Sequence, residues 1–333
     1  SLYVNMNNFY FQGRGIADFA REFYNEGGRV LLIDQVFKHP EWSPELRKCY
    51  DMYPNLKIVF TGSSVMRLKE ENPELNNIVK SYNLRGFSFR EFLNLKTGNH
   101  FRPYTLDEIL RNHERIVKDI LPKVSPLSFF QDYLHHGFYP FFQEQRNYSE
   151  NLLKTMNMVT EVDILLIKQI ELKYLTKIKK LFYLLALEGN KAPNVSWLAQ
   201  EIETSRATVM NYIKYLADAR LTNMIYPKGC EFPKKPSKVM MHNTNLMYAI
   251  YPIAVKRQDV METFFVNTMW KDHNVNQGAK DDFYWVDGSL KFKICNAHDF
   301  EKKKFRQDTI YARYNTEVGK DNLIPLWLLG FLY

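Results

Sequence analysis

Residues 30–42 read VLLIDQVFKHPEW: four aliphatic residues, an acid, and then an amide where a nucleotide-hydrolysing strand would carry a second acid. A short, continuous apolar run ending in a polar residue is the pattern of a parallel strand, whose last residue emerges at the C-terminal edge of its sheet. The pattern recurs on either side, in LYVNM at 2–6 and KIVFTGSS at 57–64. Segments with helical spacing, IADFAREFYNEG at 16–27 and SPELRKCYDMYP at 43–54, separate the three runs. The alternation predicts an α/β unit over residues 1–95, built on a parallel sheet with helices on both faces.

Beyond residue 95 the periodicity changes. Residues 96–177 are helical in pattern, with LDEILRNHERIVKDIL at 106–121 as the clearest stretch. Residues 178–235 contain NVSWLAQEIETSRATVMNYIKYLADARLT at 194–222, which reads as a first helix, a tight turn capped by Thr204 or Ser205, and a second helix. Val209, Ile213 and Leu216 fall on one face of that second helix. A basic, proline-broken connector follows, with Lys228, Lys234 and Lys235 among Pro227, Pro233 and Pro236. Residues 236–333 mix a helix, VMETFFVNTMWKDH, with strands in DFYWVDG and LKFKIC, and end on LIPLWLLGFLY, which reads as a buried terminal element.

Composition bounds the function classes. The chain has 333 residues, 45% hydrophobic and 25% charged, with 24 Phe and 21 Tyr, enough for more than one core and too apolar for extended disorder. Its net charge of +8 permits nucleic-acid or acidic partners without requiring them. Cys49, Cys230 and Cys295 form no CxxC pair and no even disulfide set, which suits a reducing, cytoplasmic setting. No apolar run reaches the roughly 18 to 20 residues that cross a bilayer, and none reads as a signal peptide, so no membrane association is expected.

The chemistry-bearing residues follow from the strand ends. Asp34, closing an aliphatic strand, stands where a Walker B acid holds Mg²⁺, and Thr61, Ser63 or Ser64, closing the next strand, stand where a hydroxyl senses a γ-phosphate. An ordinary strand-to-helix turn with a serine cap accounts for the same hydroxyls. In the second helix of the helix-turn-helix, Arg206, Thr208, Asn211 and Lys214 are placed to face a DNA groove, with the connector lysines on phosphates. A packing role for the same module fits equally. His135 and His136 have no carboxylate at metal-ligand spacing, and FFQDYLHHGFYPFF reads as an aromatic packing segment.

The order LYV, DFA.EFY..GG, LLID.V.K.P.WS.EL, YD.YP.LKIVFTGSS and SFREFL, followed by the helix-turn-helix, METFFVN and NLIPLWLLGFLY, resembles a family of prokaryotic AAA-type P-loop ATPases. Members of that family carry a winged helix and a restriction-endonuclease-like domain after the ATPase core. The resemblance implies four parts: a partial AAA core at 1–95, a helical lid or linker at 96–177, a winged helix at 178–235, and a small nuclease-like α/β domain at 236–333. It also implies ATP and Mg²⁺ as cofactors, with Asp34 on the metal and Arg85 and Arg90 near the phosphates.

Four departures qualify the implied activity. No GxxxxGK[ST] occurs; in relatives that loop precedes the LYV strand, so the sequence is expected to begin after it, and without that loop no cofactor is expected. Gln35 replaces the glutamate that polarises water, and an amide cannot take a proton at neutral pH. Asn77 and Ile78 stand where relatives carry paired arginines. In the nuclease-like part Glu262 and Asp282 match acidic positions, but Lys293 replaces a metal-ligating glutamate and Ala297 a basic residue. The expectation is an ATPase-like chain with catalysis impaired or lost; the alternative is a noncatalytic module that binds DNA or a protein through its winged helix.

Overall fold

In the computed structural model, residues 1–66, 72–144, 147–278, 282–296 and 306–333 are described. They form two compact units, one comprising residues 1–84 with 163–170, the other residues 85–162 with 171–333. The division falls before the SFREFL segment rather than near residue 95, so that segment starts the second unit.

The first unit is a three-stranded parallel sheet in the order β1 (Leu2–Asn5), β2 (Val30–Asp34), β3 (Lys57–Phe60). Helix α1 (Ile16–Asn25) joins β1 to β2 and α2 (Trp42–Met52) joins β2 to β3. Each strand adds on the same side of its predecessor, and right-handed crossovers therefore put both helices on one face. The burial pattern agrees. Leu31 and Ile33 of β2 pack with Ile16, Ala17 and Ala20 of α1 and with Trp42, Leu46 and Cys49 of α2, a spacing that follows the helical repeat.

The expectation of helices on both faces is corrected here. Register pairs Tyr3 with Leu32 and Leu32 with Val59, the residues of the opposite face. Tyr3 is 60% and Val59 57% exposed, so among the described residues that face is open. An isolated aliphatic run cannot distinguish one covered face from two; the exposed partners on neighbouring strands do.

The second unit begins with α3 (Phe89–Thr97), α4 (Leu106–Ile120), α5 (Pro126–Asp132) and α6 (Tyr148–Met158). Capping boxes start α3 (Ser88 with Glu91) and α4 (Thr105 with Glu108). Phe89, Phe92, Phe130, Tyr133 and Phe264 stack edge to face in the aromatic cluster that the sequence suggested. The single turn α7 (Leu165–Ile167) lies in the segment belonging to the first unit.

Helices α8 (Leu175–Glu188), α9 (Val195–Glu201) and α10 (Arg206–Asp218) then lead into an antiparallel hairpin, β4 (Thr222–Ile225) with β5 (Lys238–Met241). Lys191 bridges Val239 on the outer side of β5. Ser205, rather than Thr204, caps α10 by accepting from Thr208 N. Two further helices, α11 (Thr244–Ile250) and α12 (Arg257–Met269), precede a mixed sheet. Its order is β10 (Leu323–Pro325), β9 (Ile310–Arg313), β8 (Leu290–Cys295), β7 (Tyr284–Val286), β6 (Val275–Asn276). Strands β8, β9 and β10 are parallel, and β6 and β7 antiparallel. Helix α12 is buried on nearly all sides, and residues 324–333 are buried as expected of the apolar terminus.

Candidate functional site

Three strand ends meet at Asp34. Asn5, the last residue of β1, is in register with Asp34, the last residue of β2, and Thr61 directly follows β3. The Asp34 carboxylate accepts from Tyr3 Oη at 2.9 Å and Asn5 Nδ2 at 2.9 Å through Oδ2, and from the Thr61 hydroxyl through Oδ1. Thr61 Oγ1 also accepts from Gln35 N at 3.0 Å, so one hydroxyl ties the acid to the residue after it. Gln35 sits in the left-handed region, φ 56° and ψ 48°, where the chain turns sharply off the strand.

This arrangement fixes the carboxylate's orientation and fills several of its lone pairs. Among the described residues no group of three or more His, Cys, Asp or Glu could hold a metal. A lone carboxylate and a hydroxyl suit Mg²⁺, which keeps its waters and takes other oxygens from a phosphate, and do not suit a cation that needs an all-protein cage. Of the two, Asp34 is the residue that would hold Mg²⁺, with Thr61 orienting its carboxylate.

The other residues assigned to phosphate engage partners of their own. Ser63 Oγ donates to Asp163 Oδ2 at 2.6 Å, and burial raises the Asp163 carboxyl above its ordinary value against the opposing effects of that bond and Lys38. Ser64 is exposed in the same turn. Arg85 and Arg90 belong to the second unit. Arg85 donates to the carbonyls of Asn267, at 3.2 Å, and Trp270, at the end of α12, where a cation complements the helix dipole. Arg90 donates to Tyr333 O at 2.8 Å and Phe101 O at 3.1 Å. Both arginines thus make structural contacts to backbone carbonyls.

On α10, Arg206 and Asn211 are exposed, whereas Thr208 is engaged with the Ser205 cap at 2.9 Å and Lys214 pairs with Asp218. Lys177 and Lys180 of α8 are bound to the turn between α9 and α10, through Glu203 O and Glu201. Lys228, Lys234 and Lys235 are exposed on the hairpin loop.

Glu262 is enclosed by partners that sequence inspection does not find. Its Oε2 accepts from Lys238 Nζ at 2.7 Å and Tyr284 Oη at 2.6 Å, and its Oε1 from Gln258 Nε2 at 3.0 Å. Asp259, one turn earlier, has its carboxyl raised by burial and then by the Glu262 charge. Asp282 is largely exposed and lies 3.8 Å from Lys293. Glu262 and Asp282 therefore each answer to a lysine, and Ala297 lies outside the described residues. Asn5 could have been found from sequence, because LYVN ends in a polar residue as LLID does. Lys238 and Tyr284 carry no such signal.

Residues 1–93 match the family described as AAA domain, and residues 128–254 match a domain of unknown function. Over 206 residues the chain is 28% identical to an uncharacterized protein of Methanocaldococcus jannaschii; the alignment covers 60% of this chain and 43% of that protein, less than half its length. No solved structure matches. The N-terminal part is thus AAA-type ATPase-like. The second match spans a structural staple: Asn245 donates to the carbonyls of Tyr133 and Leu134 and accepts from Phe138 N, joining α11 to the turn after α5.

Proposed function

We propose that this chain is part of an AAA-type ATPase in which Asp34 carries Mg²⁺ and Thr61 reports on the γ-phosphate. The observation that supports it most is the convergence of Asn5, Asp34 and Thr61 at one sheet edge, within the residues that match an AAA domain. Bound Mg²⁺ would neutralise the developing phosphate charge. Gln35 can position a water through its amide but cannot take its proton, so turnover is slow. Gln35→Glu is the test: in the full natural polypeptide, phosphate release should rise on the order of a hundredfold, and an unchanged rate would remove Gln35 from the mechanism.

A second reading, in which the winged helix binds DNA or a protein partner without catalysis, draws on the exposure of Arg206, Asn211 and the hairpin lysines. Three helices and a hairpin with an extra bridge support the winged-helix assignment, and a helix before a mixed sheet supports a nuclease-like C-terminal part. In that part Glu262 serves as a structural anchor, its charge met by Lys238. Among the described residues no helix is long and apolar enough to cross a membrane. The unoxidised thiols of Cys49, Cys230 and Cys295 suit the cytoplasm.

A further inference from the structure

The loop of the β4–β5 hairpin, the residues following α12 and the β7–β8 turn, all in the second unit, enclose an open cleft of about 530 Å³. Its floor is apolar, with Met224 and Val275 buried, and the half-buried rings of Tyr226 and Trp270 contribute aromatic surface. Around them stand an ammonium, Lys228, the amides of Asn274 and Asn276, and the carboxylate of Asp287.

Backbone anchoring holds the cleft in shape. Tyr226 O accepts from Gln277 N at 3.0 Å and Asn276 Nδ2 at 3.3 Å, while Ser237 Oγ donates to Gln277 O, so the hairpin is fastened to β6. Asp287 is fixed by His273 Nδ1 at 2.7 Å and Asn274 N at 2.9 Å. Gly288 has φ +71°, a conformation that favours glycine, and its Cα side lies against the Lys228 ammonium, where a Cβ would stand 2.9 Å from Nζ. Lys234 reaches within 3.9 Å of Cys230 Sγ, itself on the cleft wall.

Aromatic faces over an apolar floor take up a base by stacking, amides offer donors and acceptors to its edge, and the Lys228 ammonium, with Lys234 beside Cys230, meets phosphates. An acidic peptide would use the lysines and leave the rings without a partner. We propose that this cleft binds single-stranded nucleic acid, one base resting on Tyr226 or Trp270 while Lys228 and Lys234 hold the flanking phosphates. The site is separate from the exposed face of α10, so it can hold if duplex binding there fails.

The test is fluorescence anisotropy of a labelled thymidine dodecanucleotide and of a duplex of equal length with the full chain, at two salt concentrations. Tyr226→Ala should weaken the single strand about tenfold. Lys228→Gln should weaken it several-fold and reduce the salt dependence by about one phosphate contact, while Arg206→Ala should leave it unchanged. Lys228 is exposed, so its variant keeps the test intact even if Tyr226→Ala unfolds. The proposal is overturned by no single-strand binding at low salt, by equal affinity in the Tyr226 and Lys228 variants, by equal loss in Arg206→Ala, or by displacement with polyglutamate as effective as with polythymidine.

Discussion

At the scale of single residues, one hydroxyl links the acid and the turn after β2, beside backbone bonds such as Val36 N to Thr61 O at 3.0 Å. Thr61 donates to Asp34 and accepts from Gln35 N, so Thr61→Val removes two bonds without changing the side chain's shape. Because the residue is exposed, water replaces part of what is lost, and the expected cost is about 1 kcal/mol in urea denaturation. In the second unit, half-buried His242 is held neutral: desolvation, then the charges of Arg220 and Arg85, bring its pKa down to about 3. Its Nδ1 lies 2.9 Å from Asn223 Oδ1. A depressed folded pKa means the contribution is whole above the unfolded value of about 6.5 and is lost as pH falls toward the folded one. Wild-type stability should therefore decline between pH 6.5 and 3, and His242→Gln should flatten that slope in urea titrations at pH 7, 6 and 5.

At the scale of elements, the clearest junction is Lys238 of β5 with Glu262 of α12, whose side chains keep only 19% and 12% of their exposure. Removing the lysine alone leaves a carboxylate with only the Tyr284 and Gln258 hydrogen bonds. Lys238→Met should cost roughly 2 kcal/mol, below the value for a fully buried pair, and the double variant with Glu262→Gln should recover most of it. A double-mutant cycle by chemical denaturation measures the coupling; additive losses would show that the pair does not act as one. The elements themselves were well marked in the sequence. The spacing of Trp42, Leu46 and Cys49 gives α2, and the serine and glutamate of SFRE give the cap of α3, because local patterning specifies such features. The partners of Glu262 were not legible, because Lys238 and Tyr284 are 24 and 22 residues away and meet it only once the hairpin and the mixed sheet have formed.

At the scale of the molecule, Asp34 and its place at a strand end could be read from VLLID alone, whereas the one-sided covering of the sheet could not. Leu32 looks as buried as Leu31 in a string of letters, and only the exposure of Tyr3 and Val59 beside it shows the open face. The placement of Arg85 and Arg90 in a different unit from Asp34 was equally hidden, since proximity in sequence to SFREFL says nothing of where the chain divides. The proposal at the centre is that Asp34 serves as a metal and phosphate position rather than as a polar strand end. Calorimetric titration of ATP with Mg²⁺ into the longest natural polypeptide containing residues 1–333, as wild type and as Asp34→Asn, tests this directly. ATP with Mg²⁺ should bind the wild type, and Asp34→Asn should weaken that binding about tenfold or more; no binding, or the same affinity in both proteins, would contradict the placement of Asp34 on the metal.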